Sequence, residues 1–181
     1  MGRLFLIADC HFQHHRLVEL AGRPPDFTEQ IIANWQRLVA PDDTVINLGD
    51  VQIGQMSTFA HLQAQLPGFK VLLRGNHDHE RPNWYYKRGI HLVMDEMRIG
   101  RILLSHAPTI PLPDGVTHCI HGHYHTEKDS HRMMDFTGSV EAEFNGIYYH
   151  KNRSRFVLLS IEETLSPILF QDFCEQKGIM T

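Results

Sequence analysis

The sequence predicts a layered α/β fold, because strand-like and helical segments alternate along the chain and metal-binding residues follow the strands. Five apolar runs have the length of buried strands: Leu4–Ala8, Thr44–Leu48, Phe69–Leu73, Arg101–Leu104 and Val116–Ile120. Ligands gather at the carboxyl edge of an open α/β sheet, so we expect the residues after these runs to meet at one rim of a single sheet. The 181 residues fit one domain, and we expect residues 1–181 to form it.

The segments between and after these runs predict the remaining elements. Apolar residues over Phe27–Val39 recur at helical spacing, and a second helix is predicted over Ser57–Leu66, where Pro67 and Gly68 end it. Segment Arg81–Gly89 is predicted to be a loop or a short helix. Further along, we expect short strands over Met133–Tyr149 that turn at Asn145-Gly146, a strand over Arg155–Ile161 and a closing helix over Leu165–Gln176.

Composition and charge exclude several classes of protein. An apolar fraction of 42% and a charged fraction of 21% are those of an ordinary globular protein. The net charge of -4 gives no general electrostatic case for binding nucleic acid. The first apolar run stops at Asp9, too early for a signal peptide or a membrane span. The three cysteines show neither disulfide nor zinc spacing, so we expect a cytoplasmic protein.

Potential metal ligands stand directly after each of the five strand-like runs. The clusters are Asp9-Cys10-His11, Gly49-Asp50, Gly75-Asn76-His77-Asp78, Ser105-His106 and Gly122-His123-Tyr124-His125. Carboxylate and amide oxygens together with imidazoles form the ligand set of a hydrolytic site with two divalent metals. A single histidine at a strand end is more often an ordinary polar residue than a ligand. Five clusters in the same relative position favour a common site.

In this order, the five clusters resemble the signature of the calcineurin-like metallophosphoesterase superfamily over the segment Leu4–His125. The resemblance implies a layered β-sandwich flanked by helices, with a dinuclear metal site at the carboxyl ends of the strands. The short chain and its early Gly-Asp pair are most similar to small single-domain phosphoesterases of bacteria and phages. A scaffold subunit of the retromer coat also resembles this fold, so the fold alone does not decide the function.

The resemblance also implies a role for each residue of the clusters. Asp9, His11 and His125 would hold the first metal, and Asn76, His106 and His123 the second, with Asp50 bridging both. These ligands suit two divalent ions, Mn foremost, with Fe, Zn or Ni as alternatives. His77 resembles the histidine that assists the leaving group in this family. Asp78 would either orient His77 or cap the loop, and the sequence does not choose between these roles.

The expected function is hydrolysis of phosphodiester or phosphomonoester bonds through a metal-bridging hydroxide. The expected partner is a phosphate ester, and nucleotide-like esters are included in this class. We do not expect a membrane as a partner. Two alternatives are a catalytically inactive phosphoesterase-like scaffold for protein interaction and a metal-dependent nucleotide-binding regulator. The complete ligand set favours the enzyme. Substrate recognition is expected from loops near Pro24–Thr28, Arg81–Gly89 and Glu127–Asp135, and phosphoprotein specificity is disfavoured because Val51-Gln52-Ile53 lacks the arginine of protein phosphatases.

Overall fold

Two β-sheets lie face to face in the computed structural model, which describes residues 2–126, 140–162 and 164–180. The first sheet contains β1 (Leu4–Ile7), β2 (Thr44–Asn47), β3 (Phe69–Leu73), β4 (Leu92–Met94) and β9 (Ile168–Leu169), in the order β4-β3-β2-β1-β9. The second contains β5 (Glu96–Ile99), β6 (Ile102–Ser105), β7 (His118–His121) and β8 (Phe156–Leu158), in the order β5-β6-β7-β8. Neighbouring strands are parallel except β1 with β9 and β5 with β6.

Helices connect the strands of the two sheets. They are α1 (Leu17–Leu20), α2 (Phe27–Leu38), α3 (Phe59–Gln65), α4 (Pro82–Tyr86), α5 (Val140–Lys151) and α6 (Phe170–Gln176). In α2, the apolar residues Phe27, Ile31 and Trp35 recur every four residues, form one face of the helix and are buried. This face packs on the outer side of the first sheet. Within the described part of the chain, no helix has both the length and the apolar character that crossing a membrane requires.

The apolar runs are continuous because these strands are buried on both faces. In β1, Phe5 and Ile7 point to the helices, whereas Leu6 points to the other sheet. The core between the sheets is formed by one set of inward side chains from each sheet: Leu6, Ile46, Leu48, Val71 and Leu73 from the first, and Ile102, Leu104, Ile120 and Val157 from the second. The predicted β-sandwich flanked by helices is therefore confirmed.

The prediction that all five clusters share the rim of a single sheet is wrong. Strands β6 and β7 pair with each other and with β5 and β8, in the second sheet. In the first sheet, β9 pairs with β1 and β4 pairs with β3, so β6 and β7 do not lie beside these strands. The five clusters therefore come from two sheets.

Two late segments also differ from the predictions. Asn145-Gly146 lies inside α5 and not in a hairpin, since the local turn preference yields to helix packing that buries Tyr149 against the second sheet. Residues 133–139 of the predicted short strands lie outside the described residues. The closing helix begins only at Phe170, because Ile168–Leu169 pairs with β1 as a strand. The predicted strand Arg155–Ile161 is present in shortened form as β8.

Candidate metal centre

The ligand clusters meet at the seam between the two sheets. From the first sheet, Asp9 follows β1, Asp50 follows β2 and Asn76 follows β3. The second sheet supplies His106 after β6, and His123 and His125 after β7. All strands concerned run parallel within their sheets, so their carboxyl ends lie at the same edge.

Two groups of side chains have the geometry to hold one metal ion each. The ligand atoms of Asp9, His11 and His125, the first site, lie within 4.8 Å of one another, and so do those of Asp50, His106 and His123, the second site. Asp50 Oδ2 is 3.6 Å from His11 Nε2 and 3.5 Å from His106 Nε2. The Asp50 carboxylate therefore lies between the two groups. Asn76 adjoins the second site, with its Oδ1 2.9 Å from His106 Nε2.

Four of these residues have left-handed backbone conformations that non-glycine residues rarely adopt. The φ angles are 51° at Asp9, 46° at His11, 56° at Asp50 and 67° at His123. Each such residue costs on the order of 1–3 kcal/mol and persists where surrounding contacts hold it. Here the peptide N–H groups of Asp9 and His11 donate to the carbonyls of Gly49 and Asp50, at 3.0 and 2.9 Å. The ligand turns are thus fixed by contacts between neighbouring loops.

Two glycines allow these loops to approach each other. A Cβ atom on Gly75 would overlap the Asp50 carboxylate and lie 2.6 Å from the Asp50 peptide nitrogen. A Cβ on Gly122 would overlap Asp9 Oδ2 and lie 2.8 Å from the Cβ of Ala8. Both glycines are therefore required for space.

The electrostatics of the centre suit positive charge. Burial raises the pKa of Asp9 to about 7, with repulsion from Asp50 adding to the effect, and burial also raises the pKa of Asp50. Burial lowers the pKa of His11 to about 2 and lowers the pKa values of His106 and His123. These three imidazoles are thus neutral and keep a lone pair for a ligand bond.

The carboxylate of Asp9 indicates whether a metal ion would fit the first site. Asp9 Oδ2 accepts the peptide N–H of His123 at 2.9 Å, but Asp9 Oδ1 is buried and has no hydrogen-bond partner among the described residues. A buried acceptor without a partner is costly, and a divalent cation would satisfy it. Because the surrounding donors are carboxylate oxygens and imidazole nitrogens, the residues present fit Mn, Fe, Zn or Ni.

His77 and Asp78, the two candidate catalytic residues, have different surroundings. The side chain of His77 is 45% exposed, and its Nε2 lies 4.0 Å from Asp50 Oδ2. Asp78 is buried, and its carboxylate accepts the peptide N–H groups of Asp50 at 2.7 Å and Gly75 at 2.9 Å. These contacts match the loop-capping alternative for Asp78 and not the orientation of the His77 ring. A catalytic role for either residue stays a prediction.

The surroundings of His77 form a shallow cleft at the rim of the centre. Its volume is about 230 Å³, and its lining includes Gln52, Met56 and His79. Of the loops predicted to recognise substrate, Arg81–Gly89 contains α4 and continues from this cleft through His79. The predicted loop Glu127–Asp135 lies outside the described residues.

Sequence reasoning missed two residues behind the first site, Glu162 and Arg23. Glu162 Oε1 lies 2.5 Å from His125 Nδ1, and Arg23 donates to both Glu162 oxygens, at 2.8 and 2.6 Å. Glu162 directly follows the predicted strand Arg155–Ile161, the same position that identified the five clusters, so the pattern contained a signal for it. Arg23 lies in an ordinary loop and had none.

Comparison with known protein families supports the assignment of these motifs. The family model described as calcineurin-like phosphoesterase matches residues 2–162. The chain is 30% identical to the Uncharacterized protein MJ1445 of Methanocaldococcus jannaschii over 134 residues, which cover 69% of this chain and 70% of that protein. It is 33% identical to the Gene 66 protein of Mycobacterium phage L5 over 88 residues, which cover 45% of this chain and 42% of that protein. The phage relative fits the predicted similarity to phage-encoded members.

Comparison with solved structures also found similar proteins. The protein of unknown function AQ665 from Aquifex aeolicus matches with a TM-score of 0.66 at 22% identity, covering 97% of this chain and 100% of that one. This match shows a common fold. The Pseudomonas putida nuclease MPE matches with a TM-score of 0.47 at 25% identity, covering 68% of this chain and 61% of that one.

Proposed function

Because the chain belongs to the calcineurin-like phosphoesterase family, we propose that it hydrolyses phosphodiester or phosphomonoester bonds with two divalent metal ions. Members of this family are metal-dependent hydrolases of phosphoester bonds. The observation that carries the proposal is the position of Asp50 Oδ2, which lies 3.6 Å from His11 Nε2 and 3.5 Å from His106 Nε2. A carboxylate between two groups of ligands is the arrangement that a two-metal hydrolase needs.

The two groups of side chains support a proposed role for each ligand. Asp9, His11 and His125 would hold one ion, and Asn76, His106 and His123 the other, with Asp50 shared. When bound, the pair of divalent ions supplies a water of lowered pKa and positive charge for the phosphoryl oxygens. Mn is our first choice of metal, with Fe, Zn or Ni as alternatives.

Two residues beside the metal centre, His77 and Asp78, would support the reaction. Half-exposed His77 lies beside the shared ligand Asp50, and its ring could donate a proton to a leaving oxygen. The peptide N–H of His77 donates to Asp50 Oδ1 at 2.9 Å, which fixes His77 relative to the shared ligand. Asp78 holds the loops after β2 and β3 together through the peptide N–H groups of Asp50 and Gly75.

The substrate class is a small phosphate ester, with nucleotide-like esters included. The cleft beside His77 has room for a compact leaving group, with Gln52 and His79 on its walls as potential hydrogen-bond partners. The three cysteines are free thiols, which supports the expected cytoplasmic location. We expect residues 1–181 to act as a single domain.

Turnover of aryl phosphates tests the proposal. Protein loaded with Mn²⁺ should hydrolyse p-nitrophenyl phosphate or its bis(p-nitrophenyl) diester, and chelation with EDTA should abolish the activity. Asp50→Asn should lose at least about 10²-fold in turnover, since removing a preorganised charge from such a centre has effects of this order. The exposed Asp114→Asn is the matched control and should keep full activity. Metal-independent turnover, or full activity of Asp50→Asn, would reject the proposal.

A further inference from the structure

A carboxylate stands behind the imidazole that the first site takes from the second sheet. His125 Nδ1 lies 2.5 Å from Glu162 Oε1, so the ring donates its Nδ1 proton to the carboxylate. Nε2 is then the nitrogen that carries the free lone pair and is available to a metal ion. A carboxylate partner of this kind fixes the tautomer and orientation of a ligating histidine and makes it a stronger donor.

Arg23 extends this contact to the other ligands of the first site. Its guanidinium is buried, with 1% of the side chain exposed, and it donates to both oxygens of Glu162 at 2.8 and 2.6 Å. The same group donates to the backbone carbonyls of Asp9 and Cys10, each at 2.8 Å. These carbonyls belong to the left-handed turn that presents Asp9 and His11. One guanidinium therefore fixes the backbone of two ligands and, through Glu162, the ring of the third.

The second site has a weaker support of this type. His106 Nδ1 contacts the backbone carbonyl of Leu48 at 2.8 Å, and His123 Nδ1 lies 3.0 Å from His106 Nε2. Among the hydrogen bonds of the described residues, neither ring is paired with a carboxylate beyond the shared Asp50. A carbonyl carries no net charge, so it raises the basicity of an imidazole less than a carboxylate does.

We propose that Glu162 and Arg23 are positioning residues that make the first site the tighter of the two, so that its ion remains when the second site empties. The inference rests on the proposed two-metal function and adds an order of loading to it. The protein would bind its ions in two steps of different affinity. The form with one ion would hold it between Asp9, His11 and His125.

Titration with Co²⁺ measures the two affinities separately, because the visible absorption of the ion reports its ligands and metal analysis after dialysis counts the ions. The parent should show two classes of site. Glu162→Gln, which removes the charge and keeps the shape, should weaken the tighter class by about 10–100-fold, the usual effect of losing such a partner. The weaker class should change less than about twofold, within the additivity expected of separate sites. Glu175→Gln, at an exposed position of α6, is the control and should match the parent.

Double variants identify the ion that is affected. Glu162 acts through the His125 ring, so adding Glu162→Gln to His125→Ala should cause no further loss of affinity. Adding it to His106→Ala should still weaken the ion that this variant retains. Equal effects of Glu162→Gln in both backgrounds would overturn the proposal, because a general loss of stability would act in both.

A second variant covers the case in which Glu162→Gln leaves Arg23 without a counter-charge and does not fold. Glu162→Asp keeps the negative charge beside Arg23 but withdraws the carboxylate from His125 by one methylene. We expect it to weaken the same ion by a similar factor. If the folded variant binds both ions like the parent, the positioning role is wrong while the proposed function stands. If the parent itself neither binds Co²⁺ nor hydrolyses a phosphoester, the proposed function fails first.

Discussion

Replacing Asp9 by Asn should stabilise the metal-free protein at alkaline pH although it removes a metal ligand. Burial and repulsion from Asp50 raise the pKa of the Asp9 carboxyl from its ordinary 3.8 to about 7. A shift of about three units corresponds to roughly 4 kcal/mol of unfavourable free energy for the ionised form. Asn cannot ionise, and its Oδ1 can still accept the peptide N–H of His123 that Asp9 Oδ2 accepts at 2.9 Å.

The sign of the pH dependence follows from proton binding. Between the ordinary pKa of 3.8 and the folded-state value of about 7, the folded protein holds the Asp9 proton and the unfolded chain does not. Stability therefore falls as pH rises through this window and levels off above it. About 2–3 kcal/mol of this stability is lost between pH 5 and pH 8. The Asn variant lacks this contribution.

Urea unfolding in EDTA at pH 5 and pH 8 measures the effect. The free energy of unfolding of Asp9→Asn, relative to the parent, should rise by about 2–3 kcal/mol from pH 5 to pH 8. Added Mn²⁺ should reverse the order, because only the parent gains the full stabilisation from both ions. An identical pH slope in the two proteins, or two-metal binding by Asp9→Asn, would refute the reasoning.

Three further predictions concern the role of His77 toward the leaving group, the close approach of the loop at Gly75, and the loss of stability at acidic pH. His77→Gln should keep both metals and lose about 10²–10⁴-fold on esters with poor leaving groups but less on activated aryl esters; equal losses would make His77 a positioning residue. Gly75→Ala should lower the unfolding free energy by about 1–3 kcal/mol and disturb the metal count. Gly100→Ala adds a Cβ in open space at a φ of +58°, so it should cost backbone strain alone and keep the metal count. Normal metal binding by Gly75→Ala contradicts the argument. The hydrogen bond from Arg3 lowers the pKa of Asp43 below 3.8, so the stabilisation present above that pH is lost as pH falls. Unfolding followed by circular dichroism should show that Asp43→Asn loses less stability at acidic pH than the parent. The same loss in both proteins would count against this prediction.

The strand pattern explains why so much of the candidate centre could be predicted. Each cluster directly follows an apolar run, and parallel strands bring their carboxyl ends to one edge of a sheet, so Asp9 and Asp50 could be expected to meet despite their separation in sequence. The pattern does not specify how many sheets there are. Pairing of β9 with β1 depends on contacts between distant segments, and local sequence contains no signal for them.

Other features depend on tertiary contacts in the same way. Arg23 and Glu162 are 139 positions apart, and nothing near Arg23 distinguishes it from a surface arginine. The left-handed turn at Asp9 is held by the Gly49 carbonyl of a neighbouring loop. The residue type at position 9 does not predict this contact. The Asn145-Gly146 pair shows the converse, a strong local turn preference that helix packing overrides.

The seam between the sheets makes metal binding sensitive to the spacing of the whole sandwich. Each site takes ligands from both sheets, so a bound ion would link the two sheets to each other. Side chains of the shared core, such as Leu48, Leu104 and Ile120, then serve as spacers that set the distance between the two halves of each site. Because divalent metals differ in preferred ligand distance and geometry, we expect the size of these apolar residues, remote from any substrate, to affect which metal the two groups of ligands would hold.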